Sequence, residues 1–255
     1  MVNGNDPFLF NKAIHFLWRS CYIGKSMRIK TSFILLVIST TIHAQDSSGN
    51  KLAVTSNVEQ YKEQVKVDPS KEMIELKDYM SGLVYDLKYA GTDNFMQRLM
   101  YPENTFNTFL RLPAAKALQK VERELNKKGL GLKIFDAYRP YSVTVKFWEL
   151  VKDERYVAHP AKGSGHNRGI AVDLTIFDLK TKQELDMGTG FDNFSDTAHH
   201  SFTQLPKNVL QNRKMLRSVM EKYSFKALET EWWHYYLEKG DKFEVLDISF
   251  EDLKN

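Results

Sequence analysis

Residues 164–176 read Ser164-Gly165-His166-Asn167-Arg168-Gly169-Ile170-Ala171-Val172-Asp173-Leu174-Thr175-Ile176. Strand alternation from residue 170 places Ile170, Val172, Leu174 and Ile176 on one face, and Ala171, Asp173 and Thr175 on the other. The first face is core. An aspartate in the middle of an apolar strand needs a partner, because an unpaired buried carboxylate is costly. His166 lies seven residues earlier, across an Asn167-Arg168-Gly169 turn that can fold it back toward Asp173. On this segment alone, a plain hydrogen bond between the two in a polar pocket is the better account.

A second segment shifts that balance. Glu231-Trp232-Trp233-His234-Tyr235-Tyr236 is aromatic and β-prone. On a regular strand Trp232 and His234 share a face and Glu231 takes the opposite one, so Glu231 and His234 reach one site only if Glu231 stands at a bend where the strand begins. The plain alternative is a surface glutamate beside a core aromatic cluster. His166, Asp173 and His234 together supply two imidazoles and one carboxylate. With zinc, three protein ligands leave the fourth position open, the pattern of a catalytic site. Glu231 is then the candidate base for the attacking water. Phe135-Asp136-Ala137-Tyr138-Arg139-Pro140-Tyr141 offers a cation for a developing oxyanion, with Arg139 on a loop fixed by Pro140 and Asp136 placed to orient it. A purely structural Asp136–Arg139 ion pair is the alternative there.

Outward from these segments, helices and strands come mixed, without a strict strand–helix–strand rhythm. Strands are expected at 83–89, 132–135 and 170–176. Pro113 opens a helix with apolar residues at helical spacing, and Gly129 stops it. Ser142 is the expected cap of a helix through Val151, and Pro206 opens a long helix with Val209, Leu216, Val219 and Met220 on one face. Segments 232–237 and 243–248 are expected to close as a hairpin around Lys239-Gly240-Asp241. The sum is an α+β fold with a small, mainly antiparallel sheet flanked by helices. His159 reads as a turn residue, and His199-His200 as a solvated loop pair.

The chain has 255 residues, 42% hydrophobic and 27% charged, enough apolar material for a core. Its net charge of +4 is spread among acidic residues without a basic stripe, which removes the electrostatic case for nucleic acid. Cys21 is the single cysteine, so neither an intramolecular disulfide nor a thiolate metal cluster can form. Residues 27–44 run from a basic start through a short apolar stretch to Ala44, the order of a signal peptide, with residues 1–26 as an upstream extension. The apolar stretch falls short of the about 20 residues that span a bilayer, so no stable membrane insertion is expected. Residues 45–72 read as a polar leader or linker, with the folded domain over 73–255. The expected location is exported, periplasmic or secreted.

Asp136-Ala-Tyr-Arg-Pro, then Ser164-x-His-x-x-Gly-x-Ala-x-Asp, then Glu231-x-Trp-His, in this order, resembles the D-alanyl-D-alanine dipeptidases of the vancomycin-resistance type. Asp86-Leu-Lys-Tyr-Ala, Asn94-Phe95 and Asp186-Met-Gly-Thr-Gly-Phe-Asp192 are similar to further marks of that family, over roughly residues 75–250. The resemblance implies the zinc D-Ala-D-Ala peptidase (hedgehog-like) fold and one Zn2+ per chain on His166, Asp173 and His234. It implies Glu231 as base, Arg139 as stabiliser of the tetrahedral intermediate, and Ser164 and Asp192 at the two ends of a small D,D-dipeptide. The chain departs from the family pattern at Gly165, where a larger residue is common, and at Gly190, where proline is common. Two alternatives stay open: a D-Ala-D-Ala carboxypeptidase or other peptidoglycan stem peptidase of the same fold, and a non-catalytic zinc-containing binding module. Oligomeric state has no signature in the sequence.

Overall fold

The computed structural model describes residues 52–254, and the expected upstream extension and signal peptide at 1–44 lie outside them. The central strand β6, Ala171–Asp178, is buried along almost its whole length. It pairs antiparallel with β5, Leu130–Asp136, on one side and with β8, His234–Leu237, on the other. Outside these, β3 (Val84–Tyr85) runs parallel to β5, and β7 (Phe225–Ala227) runs antiparallel to β8. The five-stranded order β3-β5-β6-β8-β7 is mainly antiparallel, as the mixed element pattern implied.

Alternation along β6 separates two cores. Val172, Leu174 and Ile176 belong to the core that also takes Leu118, Val121 and Leu125 from α3, Leu112–Asn126, and Leu216, Val219 and Met220 from α5, Lys207–Lys222. A second core gathers Val143 and Phe147 of α4, Tyr141–Val151, with Tyr89, Tyr101, Phe109 and Tyr138. The expected proline-opened helices form at these positions, with Pro113 in the first turn of α3 and Pro206 at the N-cap of α5. Helix α4 also forms, but its cap is not Ser142. The Ser142 amide donates instead to Asp247 Oδ1 at 2.9 Å, from 105 residues away.

Three expectations fail locally. The 83–89 strand is reduced to Val84–Tyr85, after which the chain turns to deliver Tyr89 to the second core. The hairpin of 232–237 with 243–248 does not form, because both edges of β8 are already occupied by β6 and β7. Val245–Leu246 (β9) pairs instead, in parallel, with Val54–Thr55 (β1). The described part of the 45–72 leader is built into the fold. Val58–Val67 is a helix, α1, capped by Asn57 accepting from the Gln60 amide at 2.7 Å. Its one buried side chain, Tyr61, accepts from the Met73 amide at 2.7 Å. Polar composition hid this segment, since a single buried ring and two caps leave little apolar periodicity.

Candidate metal centre and active site

The turn before β6 is a tight piece of backbone. The Arg168 amide donates to Gly165 O, the Gly169 amide to His166 O, and the Ile170 amide to Gly165 O, at 3.0–3.2 Å. Gly169 has φ +66°, a backbone conformation that glycine adopts without steric cost, and a Cβ there would press on the end of the Met73 side chain. Arg111, fully buried, fastens the turn by donating to Arg168 O and pairing with Glu244. Asn167 ties it to the next loop, donating to Arg139 O and Thr144 Oγ1, both at 2.8 Å. Local sequence gave no sign of that role, because both partners lie more than 20 residues away.

Sheet register then assembles the site. Asp173 and His234 are directly opposed on β6 and β8. A bulge between Ile134 and Asp136 shifts β5 by one residue and sets Asp136 opposite Asp173, a common way to re-aim a side chain. His166 Nδ1 is 2.7 Å from Ala137 O, which fixes the ring and leaves Nε2 facing inward. His166 Nε2 and His234 Nδ1 are 3.3 Å apart, with Asp173 Oδ1 2.9 Å from His234 Nδ1 and Asp173 Oδ2 3.4 Å from His166 Nε2, so the three side chains form a ligand triangle. Ligand bonds of ~2.0–2.1 Å in a tetrahedron give edges of about 3.3 Å, so these three donors fit one zinc ion and leave a fourth position toward the cleft. All three ligand atoms lie within 4.8 Å of one another. Burial pushes the Asp173 carboxyl up, but the two imidazoles outweigh it and hold the group well below the usual carboxylate range.

Glu231 stands at the bend that the sequence required. The His234 amide donates to Glu231 O at 3.2 Å, and the buried Trp232 and Trp233, packed edge to face in the main core, anchor the bend. Glu231 Oε2 lies 3.8 Å from His234 Nδ1, beside the ligand triangle and not part of it. Burial raises its carboxyl, with His234 partly offsetting that. Arg139 donates through Nε and Nη2 to Asp136 Oδ2 at 3.1 and 2.7 Å. Its guanidinium lies 5.1 Å from the Tyr89 ring centre and 4.9 Å from that of Phe147. Asp136 is completed by the Ala137 amide at 2.9 Å and the Tyr101 hydroxyl at 2.5 Å. Tyr101 went unnoticed in the sequence, and Tyr89, part of the Asp86-Leu-Lys-Tyr-Ala mark, was given no role there because Asp192, which it serves, lies 103 residues away.

The expected site residues share one cleft of about 620 Å3. His166, Asp173, His234, Glu231, Arg139, Ser164 and Asp192 all line it. Asp192, in left-handed backbone with φ 56°, receives the Tyr89 hydroxyl at 3.1 and 3.2 Å on its two oxygens. Burial raises its carboxyl well above the usual range, and the Asp173 charge adds to that. Ser164 Oγ accepts from the His166 amide at 3.2 Å. The histidine pair 199–200 is not simply solvated: His199 lines the cleft, and burial beside Tyr235 lowers the His200 imidazole to about 4.

A family model described as D-ala-D-ala dipeptidase matches residues 69–251. The chain belongs to this family. Family relatives include a D-alanyl-D-alanine dipeptidase of Escherichia coli, 33% identical over 179 residues, which are 70% of this chain and 91% of that protein. Another, of Enterococcus faecium, is 32% identical over 180 residues, 64% of this chain and 89% of that protein. The dipeptidase match begins at residue 69, within the segment read as leader.

Proposed function

We propose that the protein is a zinc-dependent dipeptidase that hydrolyses D-Ala-D-Ala or close relatives. The observation that carries this is the convergence, in one cleft, of a three-donor metal triangle, a carboxylate beside it, a braced guanidinium and the sparsely partnered carboxylate of Asp192. His166, Asp173 and His234 hold one zinc ion, which when bound polarises the scissile carbonyl and lowers the pKa of water from about 15.7 toward about 7. Glu231 takes a proton from the attacking water and delivers it to the leaving amine as the C–N bond breaks. Such general-base help contributes about 10²- to 10⁴-fold. Arg139 hydrogen-bonds the carbonyl oxygen as it gains charge. Asp192, oriented by Tyr89, accepts from the substrate ammonium, and the Ser164 hydroxyl holds the carboxylate end.

A free ammonium at Asp192 favours a dipeptidase over a stem-peptide carboxypeptidase, whose longer substrates carry an amide at that position. Export rests on residues 27–44. Among the described residues no helix is long and apolar enough to cross a membrane. Fractionation of cells making the full chain, with N-terminal sequencing, tests that part.

The reaction is tested on zinc-reconstituted protein with free D-Ala-D-Ala and with a pentapeptide stem. Faster turnover of the pentapeptide rejects the dipeptidase reading, and no cleavage of either favours a binding module. Glu231→Gln is expected to retain stoichiometric zinc and lose at least about 100-fold in kcat, whereas His234→Ala loses both metal and turnover. Loss of zinc from Glu231→Gln would make the glutamate a ligand and overturn its role.

A further inference from the structure

The proposed chemistry leaves one wall of the cleft unassigned, and that wall is aromatic. Phe147 stacks on Phe95 with ring centres 5.6 Å apart and planes within 9°. Phe194 meets Phe95 edge-on at 5.1 Å, and Tyr156 meets Phe194 at 4.5 Å. All four rings line the cleft, and Phe95, Tyr156 and Phe194 are only partly buried. Water transfers its share of such surface favourably to an apolar ligand, and none of the proton movements above needs it.

The wall stands at the Asp192 end. Phe194 follows Asp192 by two residues, and Tyr89, bonded to both Asp192 oxygens, lies edge-on to Phe95 at 6.4 Å. In a dipeptide the ammonium and the first side chain branch from the same carbon. An ammonium on Asp192 therefore brings the first side chain against these rings. The cleft of about 620 Å3 falls among sites for drug-sized ligands, ~300–1,000 Å3, and is larger than two methyl side chains fill.

We infer that the Phe95–Phe194–Tyr156 wall is the subsite for the substrate's N-terminal side chain, and that it selects D,D-dipeptides whose first residue is large and apolar over D-Ala-D-Ala. The inference rests on the reading that Asp192 holds the ammonium. Part-burial of a large apolar side chain against such a wall is worth roughly tenfold in kcat/KM.

The test measures kcat/KM for D-Ala-D-Ala, D-Leu-D-Ala, D-Phe-D-Ala and the reversed D-Ala-D-Phe on the zinc-reconstituted chain. It also measures calorimetric binding of the same peptides to Glu231→Gln. The expected order rises from D-Ala through D-Leu to D-Phe at the first position by about tenfold, in binding as in turnover, with no gain for the reversed peptide. Phe194→Ala erases most of the gain through KM; Phe194→Leu, a milder change on the same loop, erases less. The inference is overturned if D-Ala-D-Ala is the best substrate, if the gain appears on the reversed peptide, or if it survives in both Phe194 variants with zinc content unchanged. Turnover of D-Ala-D-Ala without the gain overturns this inference alone, whereas no hydrolysis of any dipeptide overturns the dipeptidase reading together with it.

Discussion

Arg139 and Asp192 line the same cleft with opposite charges, and they are held in opposite ways. Arg139 is bonded twice to Asp136 and flanked by the Tyr89 and Phe147 rings, and Asp136 is itself completed by the Ala137 amide and Tyr101. Burial alone would weaken the guanidinium, but Asp136 more than offsets it and the cation is held firmly. Asp192 has the Tyr89 hydroxyl as its one hydrogen-bond donor among the described residues. Burial and the Asp173 charge both work against its ionised form. The cation is finished by the protein and stands ready for charge that appears only during reaction. The anion is left for something else to complete, and a carboxylate in that condition favours an incoming cation.

The contrast can be broken most forcefully at Arg139. Arg139→Ala is expected to lower kcat by about 10²- to 10³-fold, some 3–4 kcal/mol, with KM little changed. A change confined to KM, measured on D-Ala-D-Ala with zinc content verified, would place Arg139 on the ground-state substrate instead.

At the other charge the kinetic signature reverses. Asp192→Asn is expected to raise KM by roughly 10- to 100-fold, the range for a lost hydrogen bond to a charged group, with a smaller effect on kcat. It also sharpens the contrast through pH. Burial raises the Asp192 carboxyl, so as pH falls it takes up a proton earlier than a free aspartate does, and KM of the native enzyme climbs on that acid side. Arg139 stays charged throughout and contributes no such limb. In Asp192→Asn the acid rise in KM is expected to vanish while the acid limb of kcat, assigned to Glu231, remains. A KM profile identical in both proteins would separate Asp192 from the ammonium.

The last contrast is in stability, where one chemical change has two signs. Asp136→Asn breaks an ion pair whose carboxylate is fully buried, and is expected to destabilise by about 3 kcal/mol. Asp192→Asn removes a charge that folding disfavours. A carboxyl raised in the folded state weakens the fold once pH passes its unfolded value, and fully so above its folded value, so the variant is expected to be the more stable protein at pH 7. The gain shrinks as pH falls from the folded value and is nearly gone at the unfolded value of about 3.9. Thermal unfolding of both variants at pH 7 and pH 4 checks this, and two shifts of the same sign would dissolve the contrast.

Much of the metal centre was legible because its parts are local. Strand alternation placed Asp173 apart from Val172 and Leu174, a glycine turn returned His166 to it, and Glu231 required a bend that the structure supplies. The helices after Pro113 and Pro206 were equally readable from spacing. What escaped the sequence is non-local. Tyr89 reaches Asp192 across 103 residues, Tyr101 reaches Asp136 across 35, and Asp247 caps α4 across 105. No short window holds both members of such a pair. The expected 232–248 hairpin failed for a related reason: pattern shows that a segment is a strand, but not that its neighbours on both sides are already taken.

The short ladder between Val54–Thr55 and Val245–Leu246 joins the two ends of the described chain. It is tied to the rest through β9, since the Leu246 amide donates to Asn167 O at 2.9 Å, while the Asp247 amide closes the ladder on Thr55 O at 2.9 Å. Loss of Val54–Thr55 or of Val245–Leu246 therefore removes the same clasp. Because its halves are made first and last, it can fasten only when synthesis of the domain is nearly over, and the loop that carries His166 acquires its final support at that moment.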